Sequence, residues 1–84
     1  MWHVYILECR DGRLYTGITN DLDRRVRQHR KGTGAKFTRS FGAGAIVYCE
    51  RLATRALALR REAAIKRLNR RQKMILRQDS TRDG

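Results

Sequence analysis

Near the start of the chain, two runs rich in β-branched and aromatic residues, Trp2 to Cys9 and Leu14 to Ile18, flank a polar turn. The pattern reads as a β-hairpin. Its loop length constrains everything that follows, because side chains alternate between faces and a one-residue change of register moves each to the other side. A two-residue Asp11-Gly12 turn would pair Arg10 with Arg13 and put Tyr5 and Tyr15 on opposite faces. A three-residue Arg10-Asp11-Gly12 loop, with Gly12 left-handed, pairs Cys9 with Arg13, Leu7 with Tyr15 and Tyr5 with Gly17, so the tyrosines share a face.

Downstream, Asn20-Asp21-Leu22-Asp23 supplies a capping residue and acids where a helix start favours them, with Leu22, Val26 and His29 following at helical spacing. A helix over roughly 21–31 is expected. Gly32, Gly34, Gly42 and Gly44 then bracket a basic connector carrying Lys31, Lys36 and Arg39. Ala45 to Leu52 reads as a third strand, after which Thr54 caps a helix whose Leu57, Ala64, Ile65 and Leu68 are expected on one side. Asn69 caps a last helix to about Gln78, and the apolar-free stretch 79–84 reads as a disordered tail. With 84 residues in all, 1–78 form one domain with a modest core, too small for a multidomain enzyme or a large cofactor-binding fold.

Twenty Lys and Arg against eight Asp and Glu give a net charge of +12. Such a field favours polyanions, whose counterions are released on binding, so nucleic acid is the expected partner. No segment separates a basic from an apolar face sharply enough for a membrane-surface helix, and no membrane partner is expected. Cys9 and Cys49 are too few for a zinc site or a secreted disulfide scaffold, and the apolar run Val4 to Leu7 is too short for a signal peptide or a span. A reducing, cytoplasmic location is expected. Gly32-Thr33-Gly34-Ala35-Lys36 lacks the spacing and preceding strand of a nucleotide-phosphate loop, which argues against an ATPase.

His3-Val4-Tyr5 and Tyr15-Thr16-Gly17, with tyrosines ten residues apart, are followed by Asp21-Leu22-Asp23-Arg24-Arg25, by His29, and by Glu62 within Leu59-Arg60-Arg61-Glu62-Ala63-Ala64-Ile65-Lys66. This ordered set resembles the GIY-YIG nucleases over nearly the whole chain, most closely the small stand-alone bacterial members. His3 departs from the glycine of the first motif, which bears on local backbone geometry. The resemblance implies an α/β (α+β) fold, a small three-stranded antiparallel sheet flanked by helices. It also implies a metal-dependent endonuclease acting on DNA, with RNA possible, in repair or processing. Tyr5, Tyr15, Arg25, His29 and Glu62 are the catalytic residues implied, and their shared site requires the three-residue hairpin loop or another of the same parity.

Each residue has a plainer reading beside the functional one. Glu62 is the only acid among ten Lys or Arg between Arg51 and Arg77, and Lys66 at i+4 offers it a helical ion pair worth about 0.2–0.5 kcal/mol. As a metal ligand, a single carboxylate suits one hard ion that keeps most of its waters, Mg²⁺ with Mn²⁺ as a substitute. Arg25 is either a phosphate-binding guanidinium or one of a solvated cluster with Arg24, Arg27 and Arg30. His29, four residues on, either shares its cleft or closes the apolar stripe of Leu22 and Val26. Strand tyrosines are ordinarily packing elements. With a usual pKa of about 10 they serve as bases only if cations lower it. The resemblance suggests that one of them positions or deprotonates the attacking water, and the residues leave open which. Gly17 leaves room for substrate backbone or marks a strand bend. Lys31, Lys36, Arg39 and Lys66 are expected to contact phosphates without reading sequence. A catalytically idle module that binds DNA or RNA by charge alone is the rival reading.

Overall fold

The computed structural model describes residues 1–30 and 43–83, with side chains at 29, 30, 43, 44 and beyond 76 outside that description. Lys31, Lys36 and Arg39 therefore lie outside the described residues, as does the side chain of His29. Three strands, β1 (Trp2–Cys9), β2 (Leu14–Thr19) and β3 (Ala43–Leu52), form an antiparallel sheet in the order β2-β1-β3. Three helices complete the described chain: α1 (Leu22–Arg30), α2 (Arg55–Lys66) and α3 (Arg70–Asp83).

The hairpin takes the three-residue loop. Leu7 pairs with Tyr15 and Tyr5 with Gly17. The Cys9 amide donates to the Arg13 carbonyl at 2.7 Å, and the Gly12 amide donates to the Cys9 carbonyl at 2.9 Å. Gly12 has φ 89°, the left-handed conformation that a side chain would strain. Asp11 Oδ1 accepts from the Arg13 amide at 3.0 Å and holds the turn from inside. His3 sits in the strand ladder between Thr19 and Arg51, and no non-glycine described residue has positive φ, so the histidine in place of glycine leaves a regular strand.

Side chains cap each helix start. Thr19 Oγ1 accepts from the Asp21 amide at 3.0 Å and Asp21 Oδ1 from the Arg24 amide at 3.1 Å, opening α1. Thr54 Oγ1 accepts from the Leu57 amide at 3.2 Å. Asn69 and Gln72 make a reciprocal capping box, with distances of 2.9 and 3.0 Å, ahead of α3. The last helix runs past the expected end near Gln78 to Asp83.

Val4 and Ile6 of β1 pack against Ala58 and Ile65 of α2, with Trp2, Leu14, Ile18, Tyr48, Leu52 and Leu76 around them. This corrects the expected face of α2 in part. Ile65 is buried and Leu68 half-buried as expected, but Leu57 and Ala64 are exposed, and the inward stripe is Ala58, Glu62 and Ile65, at i, i+4 and i+7. The small Ala58 lets the helix lie close to the sheet, whereas the larger Leu57 is turned to solvent. Arg61, also on the sheet side, bonds Glu50 Oε2 of β3 at 3.0 Å, and the Tyr48 hydroxyl donates to the same oxygen at 2.7 Å. That network pins α2 to β3 and so fixes where the adjacent Glu62 stands.

Candidate active site

Tyr5, on the central strand, is buried with 1% of its surface exposed, while Tyr15 remains half-buried. Their ring centroids are 6.3 Å apart and tilted by 44°. The Tyr5 ring lies across Gly17: a Cβ there would stand 2.6 Å from the Tyr5 hydroxyl oxygen and 3.1 Å from Tyr15 Cε1. The room left by the missing side chain is thus filled by Tyr5 itself.

Helix α1 delivers Arg25 to this pair. Its Nε donates to the Tyr5 hydroxyl at 3.3 Å and its Nη1 donates to Gln28 Oε1 at 3.1 Å. The Tyr5 hydroxyl, and with less effect Tyr15, holds the guanidinium more strongly protonated than usual. Sequence reasoning missed Gln28. Its signal, an amide three residues after an arginine on one helix, becomes informative only once that arginine's direction is known.

A tyrosine would serve as a base only if cations lowered its pKa, and at Tyr5 the balance runs the other way. Burial raises its pKa above the usual value, Arg25 opposes that shift, and the charges of Tyr15 and Glu62 add to it. The neutral phenol is therefore the form present at neutral pH.

Glu62 reaches the site from α2, close enough for its charge to act on Tyr5. Its side chain is 19% exposed and its Oε2 lies 3.7 Å from Lys66 Nζ. Lys66, expected at the substrate, thus stands beside the carboxylate as an i,i+4 partner. Among the described residues, no group of three His, Cys, Asp or Glu gathers to cage a metal ion. The carboxylate of Glu62 is a single hard oxygen donor, which fits only an ion that takes its remaining ligands from water and phosphate. A cavity of about 250 Å³ opens beside Arg25, lined by Trp2, Ile18, Asp21, Arg24 and Gln28 among others. No helix among the described residues is long and apolar enough to cross a membrane.

The pattern of the GIY-YIG catalytic domain matches residues 1–75. The chain is similar to the UPF0213 protein of Halobacterium salinarum, 46% identical over 76 residues that span 90% of this chain and 99% of that one. It is likewise similar to the UPF0213 protein YhbQ of Escherichia coli, 44% identical over 72 residues, or 86% of this chain and 72% of the relative. The solution NMR structure of the UPF0213 protein of Bacillus halodurans has a TM-score of 0.57 and 45% identity, covering 90% of this chain and 82% of the other.

Proposed function

Because the chain belongs to the GIY-YIG nuclease family, matched over residues 1–75, we propose that it is a metal-dependent endonuclease hydrolysing phosphodiester bonds in nucleic acid, DNA in the first instance. Arg25 carries the reading: it is bonded to Tyr5 at 3.3 Å, braced by Gln28 and set beside Tyr15. A packing tyrosine does not need a guanidinium on its hydroxyl. Two phenols and a fixed cation meet from β1, β2 and α1, and the charge of Glu62 on α2 acts on Tyr5; these are groups that phosphodiester hydrolysis can use.

Glu62 would hold Mg²⁺, with Mn²⁺ as a substitute, and such an ion would supply polarisation of the phosphate and neutralisation of charge on the leaving oxygen. Arg25 meets the charge that develops on the phosphoryl group, its plane already set by Tyr5 and Gln28, so little reorganisation remains at the moment of reaction. Tyr5, kept neutral by burial, orients by hydrogen bonding rather than taking a proton. Tyr15, the less buried ring, takes the place beside the attacking water. His29, on the same helix, assists by orientation or proton transfer. Lys31, Lys36 and Arg39 hold flanking phosphates.

The test is incubation of the purified chain with single-stranded, duplex and branched DNA and with RNA, in Mg²⁺, Mn²⁺ or EDTA. Cleavage that depends on the metal and disappears in Glu62→Gln supports the proposal. Binding without cleavage of any substrate in either metal would leave an idle nucleic-acid-binding module.

A further inference from the structure

We propose a backbone-phosphate site in the cleft between the hairpin turn and the start of α3, separate from the residues around Arg25. The inference rests on the nucleic-acid reading above and concerns where the substrate runs. A cavity of about 280 Å³ there is lined by Arg13, Leu14, Arg70 and Lys73. Its three cations come from two elements far apart in sequence, so they are brought together by the fold rather than by a local run of charge.

The cleft is held in shape. Arg70 Nη1 donates to the Gly12 carbonyl at 2.8 Å across 58 residues of chain, which clasps α3 to the turn. Gly12 presents that carbonyl from its left-handed conformation, and the Asn69–Gln72 box fixes where α3 begins. Asp11 touches Arg13 Nε at 3.2 Å and neutralises one of the three charges. Like charges lining one concavity repel, and that cost is offset when an anion enters. A phosphodiester matches the cleft: it is singly charged and has two outward oxygens for guanidinium and ammonium donors.

The position implies a path for the strand. Leu14 and Tyr15 are neighbours in β2, so their side chains point to opposite faces of the sheet. The sheet order makes β2 an edge strand. A nucleic acid held at both Arg25 and the Arg13–Arg70–Lys73 cleft therefore crosses the β2 edge at the hairpin end, so that contacts there set how much flanking strand is engaged without touching the chemistry.

The experiment compares the full chain with Arg13→Gln/Lys73→Gln, which leaves the Arg70 clasp intact, in binding to one duplex oligonucleotide across a salt series. Binding is followed by fluorescence anisotropy. The double variant is expected to bind about 3–10-fold more weakly at low salt, with a log–log salt slope shallower by about 0.9 for each phosphate it no longer neutralises. Arg60→Gln/Arg67→Gln, the same change of charge at exposed positions outside the cleft, must alter the slope less. If the parent chain binds and the cleft variant matches it or the control in slope and affinity, the cleft site is overturned and the nuclease reading stands. If the parent chain binds no oligonucleotide, both fall.

Discussion

Gly17→Ala tests the centre of the site with one methyl group. The new Cβ would lie 2.6 Å from the Tyr5 hydroxyl oxygen and 2.8 Å from Tyr5 Cζ, roughly 0.8 Å inside ordinary van der Waals contact at the nearer atom. Tyr5 cannot retreat to solvent, being 1% exposed. Overpacking of this kind costs about 1–3 kcal/mol. Replacing a strand glycine returns about 0.5–1 kcal/mol of backbone entropy, so a net loss of up to about 2.5 kcal/mol remains. At about 4–8 °C per kcal/mol for a domain of this size, Tm falls by up to about 20 °C, which circular dichroism reads directly. Relief by movement of the ring also displaces the oxygen to which Arg25 is bonded. A misplacement of about 1 Å in such a group costs about 10²-fold in turnover. Tyr5→Phe removes the nearest clashing atom, so the Gly17→Ala/Tyr5→Phe double variant should lose less stability than the two single losses combined. Unchanged Tm and unchanged cleavage in Gly17→Ala would show that the Tyr5 ring does not lie over this residue, and the reasoning would fail at its base.

Three further outcomes are expected. Glu62→Gln should abolish metal-dependent cleavage while oligonucleotide affinity is kept or rises, because a negative charge leaves a basic surface; proportional loss of both would make Glu62 structural. Arg25→Ala should lower turnover about 10²–10³-fold, or about 2.7–4 kcal/mol of transition-state stabilisation, with far less change in binding. Burial raises the pKa of both Tyr5 and Tyr48. Folding therefore retains protons that unfolded phenols release near pH 10, so this contribution to stability is complete below about pH 10 and is lost as pH rises through the folded values. Urea midpoints measured from pH 8 upward check the sign, and a midpoint that climbs above pH 10 would contradict it.

The sequence was most informative where structure is local. Hairpin parity follows from the choice of a three-residue loop, and the Thr54 and Asn69 caps follow from side chains that reach amides two or three residues away. The face of α2 was only partly legible, through Ile65 and Leu68. Leu57 looked the better core residue by hydrophobicity, but the close approach of helix and sheet selects Ala58, and Glu62 falls within the inward stripe for the same reason. The protonation of Tyr5 was not legible from charge alone: Arg25 does lower its pKa, but burial outweighs it and only the packing of β1 reveals that burial. The Tyr48–Glu50–Arg61 network and the Gly12–Arg70 bond join residues that share no periodicity, so no spacing could announce them.

The strand at the middle of the sheet is also the earliest element of the chain, with Trp2 paired to Leu52 across most of its length. The hairpin can close in microseconds, but β3 must first overcome the loop entropy of a long intervening segment. Until it docks, one edge of β1 is unpaired and Tyr5 lacks part of the packing that keeps it neutral. The candidate site therefore has no folding stage of its own: it is completed in the same long-range step as the core, and a break in the chain between α1 and β3 should remove the sheet and the Tyr5 environment together.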